Sequence, residues 1–114
     1  MQVDVETISN LERRLTIGIP ADRVENEIAA RLQKASKTVR LSGFRPGKVP
    51  MKIMKQRFGS GVRQEVLGEV MNQSFQEAVI QENLRPAGPP SIEPKNLESG
   101  HDLEYVATFE VIQK

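Results

Sequence analysis

Apolar residues recur at every second position near both ends of this chain and at every third or fourth position between them. That change of period restricts the fold more than any other feature. Near the start, Val3 and Val5 alternate with Asp4 and Glu6, the pattern of a half-buried strand. Leu15, Ile17 and Ile19 then alternate with Arg14, Thr16 and Gly18, and Pro20 ends the run because proline cannot donate to a ladder. Ser9-Asn10 supplies turn chemistry between the two, which predicts an antiparallel hairpin. Near the other end, Leu103, Tyr105, Ala107, Phe109 and Val111 alternate with Glu104, Val106, Thr108 and Glu110. Ser91 to Leu97 reads as a weaker strand, and Pro94 assigns it to a sheet edge, with a turn at Glu98-Ser99-Gly100.

The middle of the chain is helical. Val24, Ile28, Leu32, Ala35 and Val39 fall within about 80° of one another on a helix running from about Ala21 to Arg40. Asp22, Glu25 and Glu27 in its early turns and Lys37 and Arg40 in its last agree with the helix dipole. A short helix is predicted from Pro50, a favourable first position, with Met51, Met54 and Phe58 on one face. Gly59 is expected to stop it and Ser60 to cap a third helix. That helix turns Val62, Val66, Leu67, Val70, Met71, Phe75, Ala78 and Val79 to one side. Gly68 inside it costs about 1 kcal/mol against alanine and is expected to mark close packing on a neighbour. Arg85 to Pro90 reads as a rigid connector. The 114 residues therefore form one domain, 1–114, in the order ββαααββ. The class is α+β, with an antiparallel sheet of about four strands from both chain ends, two longer helices, one short helix and a basic loop at the helical tip.

Composition removes whole classes of function. There is no Cys, so disulfides and thiolate metal sites are excluded and a reducing compartment is the natural home. The one His, His101, cannot hold zinc alone, and no apolar stretch approaches the roughly 20 residues of a membrane helix. The first residues alternate and are acidic, unlike a secretion signal. His101 beside Asp102 falls in a turn, and Glu65 and Glu69 belong to a polar helix stripe, so solvated surface outweighs catalysis for each. No catalytic residue, no metal site and no cofactor is expected, and the domain reads as cytoplasmic and not an enzyme.

The net charge of +1 conceals a segregation. Between Ile28 and Gln64 there is no carboxylate, while Arg31, Lys34, Lys37, Arg40, Arg45, Lys48, Lys52, Lys55, Arg57 and Arg63 all fall there. The rest of the chain carries six cations against 15 carboxylates. Such polarity suits a polyanionic partner, nucleic-acid phosphate first of all. A generic basic RNA-binding domain would explain the charge. It would not explain one Tyr, no Trp and four Phe, since stacking platforms interleave aromatics with cations.

Gly43-Phe44-Arg45-Pro46-Gly47-Lys48-Val49-Pro50 breaks every period and places an aromatic among cations on a connecting loop. Phe44 is either an exposed anchor, with Arg45 and Lys48 pairing to phosphates or carboxylates, or a plug folded back on the core. The spacing is not that of a phosphate-binding P-loop.

This loop resembles the Gly-Phe-Arg-x-Gly-Lys-x-Pro loop of the bacterial trigger factor family, ribosome-associated chaperones. The likeness extends through Met1-Gln2-Val3, Glu6-Thr7, Val62 to Gly68, and Pro86-Ala87-Gly88. It covers essentially the whole chain as the family's N-terminal ribosome-binding domain. The resemblance implies docking beside the tunnel exit of the large ribosomal subunit, with Gly43, Phe44, Arg45, Gly47, Lys48 and Pro50 as ribosome-binding residues. Phe44, Arg45 and Lys48 would touch a tunnel-exit protein and nearby ribosomal RNA, on a basic surface supported by Lys37, Arg40 and Lys52. It implies a nascent polypeptide as second partner, no membrane, a cytoplasmic, ribosome-associated location, and compatibility with a weak homodimer.

Family members often carry a further basic residue where this chain has Pro46, so one cation is missing and a stiffer loop offsets it. The family's isomerase and helical domains are not expected here. The chain stops at Gln113-Lys114 directly after a strand, as a piece of a longer protein would, and isomerase activity is not expected of it. Met51, Met54 and Phe58 would suit contact with nascent chain, but core packing explains their spacing equally well.

Overall fold

A computed structural model describes residues 1–112. The chain end at Gln113-Lys114, read above as following a strand, lies outside the described residues. The elements are β1 (Gln2–Thr7), β2 (Glu12–Ile19), α1 (Ala21–Ser36), α2 (Met51–Gln81), β3 (Ser91–Asn96) and β4 (Leu103–Glu110). The four strands form one antiparallel sheet in the order β1-β2-β4-β3. Its central pair joins the two ends of the sequence, from Glu12 opposite Glu110 to Ile19 opposite Leu103. The expected α+β class with a four-stranded sheet holds.

Alternation is realised fully where a helix covers the sheet. Leu15, Ile17 and Ile19 on β2 and Leu103, Tyr105, Ala107 and Phe109 on β4 are all buried. Phe75 of α2 meets Phe109 edge to face, ring centroids 5.3 Å apart. β1 departs from the expected half-burial: Val3 is partly buried, but Val5 is 42% exposed. Its apolar residues face the correct side, yet the helical layer does not extend over the outermost strand. Val111 lies beyond β4 and forms a single bridge with Pro86.

The short helix and the third helix are one. α2 runs unbroken for 31 residues through Gly59, Ser60 and Gly61, so Gly59 is not a stop and Ser60 not a cap. The reason is tertiary. Met54, Phe58, Val62, Val66 and Val70 recur at steps of four straight through the glycines, and each is buried or packed against the core. Continuous burial on that face outweighs a propensity penalty of about 1 kcal/mol per glycine. Helix α1 is shorter than expected and ends at Ser36, leaving Val39 outside it but still partly buried. In the last turn the N–H groups of Lys37 and Thr38 move to carbonyls three residues back, Lys34 O and Ala35 O. Its first turn has Pro20 at the cap position with no side chain to offer. Asp102, arriving from the turn before β4, accepts from Ala21 N at 2.9 Å and supplies that cap from 81 residues away.

Gly68 is exposed, and a side chain built there meets nothing within 4 Å, so the close packing expected at this glycine is absent. The same open space surrounds Gly61. Gly61→Ala and Gly68→Ala are therefore expected to stabilise the fold by about 0.5–1 kcal/mol each, through a less flexible unfolded chain and better helix propensity. Urea titration of the two variants checks this; destabilisation by either would show a contact at that position.

One polar cluster is buried between α2 and β4. The Tyr105 hydroxyl donates to Met71 O at 2.9 Å and lies 2.5 Å from Ser74 Oγ, which also reaches Met71 O at 3.1 Å. Burial pushes the Tyr105 pKa above its ordinary 10.0, opposed by the Ser74 hydrogen bond and by Arg23. The folded state thus favours the neutral phenol and binds its proton more tightly than the unfolded chain does. Stability from this site is complete below pH 10 and is lost as pH climbs from there through the raised value. Because Tyr105 is the one tyrosine, tyrosinate absorbance follows it alone. The alkaline loss of stability is expected to vanish in Tyr105→Phe, at a baseline cost of about 1 kcal/mol.

Candidate functional site

The molecule measures 60 × 24 × 19 Å, because α2, about 46 Å long at the usual helical rise, projects well past the sheet. Helix α1 packs along it, and ion pairs tie the two together. Arg23 grips Glu77 in a two-pronged contact of 3.0 and 3.3 Å, while Arg31 reaches Glu27, Glu65 and Glu69. Arg63 pairs with Glu25 at 3.0 Å and donates to Leu97 O at 2.7 Å.

These contacts correct the reading of the basic window. Arg31 and Arg63, at its two ends, are neutralised by carboxylates; Glu65 and Glu69 reach Arg31 but stay exposed, as expected of a polar stripe. The eight cations between them, from Lys34 to Arg57, are all exposed, and none has a carboxylate within 4.0 Å among the described residues. Their charge accumulates around the distal half of the helical hairpin.

Two consecutive tight turns build the loop there. Phe44 N donates to Leu41 O at 3.1 Å, with Gly43 in third place at φ 87°. Lys48 N donates to Arg45 O at 2.9 Å, with Pro46 second and Gly47 third at φ 81°. A positive φ at the third position is what glycine tolerates, and proline at the second presets its own φ. No atom lies within 4 Å of a side chain built on either glycine, so backbone conformation rather than space requires them. Pro46 thus rigidifies a turn that its position suits. Gly47 N then donates to Ser36 O at 3.0 Å, fastening the second turn to the end of α1. Val49 is buried, with Leu41 and Val39 partly so, and they anchor the loop from below. Val49 escaped the sequence reading, although a lone valine between a cation and a proline is a signal of anchorage.

What the anchors leave exposed is Phe44, Arg45, Pro46 and Lys48. Phe44 is 38% exposed and outside the core, which decides between the two readings of that ring. Lys37 and Arg40 are exposed on the strand of chain leaving α1. Pro50 occupies the position before α2 rather than its first residue, and its carbonyl accepts from Ile53 N and Met54 N. Exposed Lys52 sits in the first turn of α2, which holds no acidic residue, so the positive end of the helix dipole adds to the cationic field instead of being offset. Met54 is fully buried and Met51 and Phe58 pack against the core, so their spacing reflects packing.

His101 is largely exposed, 3.5 Å from Glu98 in its turn. Among the described residues no three acidic or histidine side chains converge as metal ligands, and no helix is long and apolar enough to cross a membrane.

Comparison with known proteins gives a consistent family. The model of "Bacterial trigger factor protein (TF)" matches residues 1–114. Trigger factors of Teredinibacter turnerae and Cellvibrio japonicus are 63% and 61% identical over 111 residues, 97% of this chain and 25% of each relative. That of Thioalkalivibrio sulfidiphilus is 58% identical over all 114 residues, 26% of its length. The chain thus spans about a quarter of these relatives, and the family's isomerase domain is not within it. A solved trigger factor chaperone, studied for promiscuous substrate recognition in folding and assembly, superposes with a TM-score of 0.63 at 17% identity over 97% of this chain and 26% of its own, a likeness of fold. By the full-length family match and the identity of these relatives, the chain belongs to the bacterial trigger factor family.

Proposed function

We propose that this domain docks a nascent-chain chaperone beside the tunnel exit of the large ribosomal subunit, through the loop from Gly43 to Pro50. The observation that carries the reading is the loop itself: an exposed ring with unpaired Arg45 and Lys48 on a doubly turned, anchored backbone at a cationic tip. Phe44 enters an apolar pocket on a ribosomal protein, while Arg45 and Lys48 pair with its carboxylates or with neighbouring ribosomal RNA phosphates. Gly43, Gly47 and Pro50 hold the turns, and Lys37, Arg40 and Lys52 broaden the field that draws the tip to a polyanion. A backbone already set by Pro46 and two glycine turns loses little entropy on docking. In this reading the domain works in the cytoplasm, on ribosomes, and brings the rest of its protein to newly made polypeptide.

Co-sedimentation with large ribosomal subunits tests it. The native domain is expected to pellet with subunits, and Phe44→Ala/Arg45→Ala is expected to remain in the supernatant with an unchanged melting temperature. Equal pelleting of both would mean a non-specific basic surface, the behaviour of a generic RNA binder. A lowered melting temperature would mean that Phe44 is structural.

A further inference from the structure

The sheet has two edges, and they are built differently. β3 is guarded: Pro94 has no N–H to offer, the register shifts between Pro94 and Asn96, and Lys95 stands beside them. β1 has no such guard. It contains no Pro, Gly, Lys or Arg, and it pairs with β2 alone in unbroken register from Gln2 opposite Gly18 to Thr7 opposite Arg13. One row of its N–H and C=O groups faces outward, and no backbone hydrogen bond satisfies that row among the described residues.

The two faces of β1 also differ. Val3 and Val5 lie opposite Ile17 and Leu15, on the face that carries the core, and Val5 remains 42% exposed. Asp4 and Glu6 lie opposite Thr16 and Arg14 on the other face. Arg14 reaches Glu6 at 3.4 Å, and Asp4 has no cation within 4.0 Å among the described residues. Farther along the same side, Asp4, Asp102 and Glu104 line one shallow depression, which keeps that face acidic.

We propose that the β1 edge accepts an extended peptide segment as a fifth strand, one in which apolar side chains alternate with basic ones. The added backbone satisfies the open row of β1. Apolar side chains beside Val3 and Val5 extend the core layer and cover the exposed Val5, while basic ones beside Asp4 and Glu6 meet opposite charge. Antiparallel pairing with β1 of a second copy would set carboxylate against carboxylate on that face, which argues against the homodimer as occupant. The site shares no residue with the loop at 43–50 and does not depend on the docking reading.

The test is an amide-resolved titration of the isotope-labelled domain with a capped hexapeptide of alternating valine and lysine. Shift changes and slowed amide exchange are expected in Gln2–Thr7, with Ser91–Asn96 unaffected. The same peptide N-methylated along its pairing edge is expected not to bind. Asp4→Lys/Glu6→Lys is expected to bind the lysine peptide about tenfold more weakly and to take up an alternating valine–glutamate peptide instead. That exchange of preference separates loss of the site from loss of the fold. Any of four results overturns the proposal: changes confined to another surface, undiminished binding of the N-methylated peptide, indifference to the charge reversal, or concentration-dependent changes in β1 without peptide.

Discussion

Phe75→Ala is expected to destabilise the domain by about 3–5 kcal/mol, the range for deleting a buried phenylalanine. The ring is 2% exposed and stacks edge to face on Phe109 at 5.3 Å with an interplanar angle of 85°. It therefore joins the helical layer to the central strand β4, and alanine leaves a cavity lined by both. An aromatic pair adds about 0.5–1.5 kcal/mol to what area alone provides. A domain of this size is stable by about 5–15 kcal/mol, so the substitution removes a large share of the total. Urea unfolding measures it, with Phe58→Ala as comparison: Phe58 is only partly buried beside the glycines of α2 and is expected to cost clearly less. Equal losses would mean that the distal half of α2 is packed as tightly as the half over the sheet.

Arg45→Glu/Lys48→Glu is expected to lower affinity for large ribosomal subunits about a hundredfold near physiological salt without altering the melting temperature. Both side chains are exposed and have no carboxylate within 4.0 Å among the described residues, so reversing their charge breaks no ion pair there. In the docked state two attractions become repulsions. If Arg45 and Lys48 both meet phosphates, the slope of log affinity against log salt should flatten by about two. If they meet carboxylates on protein, affinity falls while the slope changes little, so the same titration apportions the contact between RNA and protein. Affinity unaltered across the salt series would remove these cations from the interface. Arg31→Ala is the control, because Arg31 is occupied by Glu27, Glu65 and Glu69.

Much of the candidate site was legible before any fold was known. The glycines at 43 and 47, the prolines and the ring among cations all follow from local chemistry: positive φ needs glycine, and a turn favours proline second. The acid-free window marked the end of the helical hairpin where exposed cations gather. It overstated the free charge, because Arg31 and Arg63 find their carboxylates 34 to 38 residues away or on the facing helix, and spacing along one helix does not register a partner on another. Nor did spacing disclose that Asp102 caps α1 or that Ser74 lies wholly buried against Tyr105.

Alone, the sequence determined the α+β class, the two central strands with their buried faces, the edge position of β3 and the turn chemistry of the loop. Each rests on near-neighbour physics: a period of two or 3.6, a missing N–H, an allowed dihedral. Tertiary structure alone decided that Gly59-Ser60-Gly61 continues a helix, that α1 stops at Ser36, that β1 stays largely uncovered and that Phe44 faces outward. The reason is the same in every case. Local propensities differ by about 1 kcal/mol per residue, whereas burying or uncovering a large apolar side chain is worth about 1.5–3 kcal/mol, and the surface that covers it comes from a distant part of the chain.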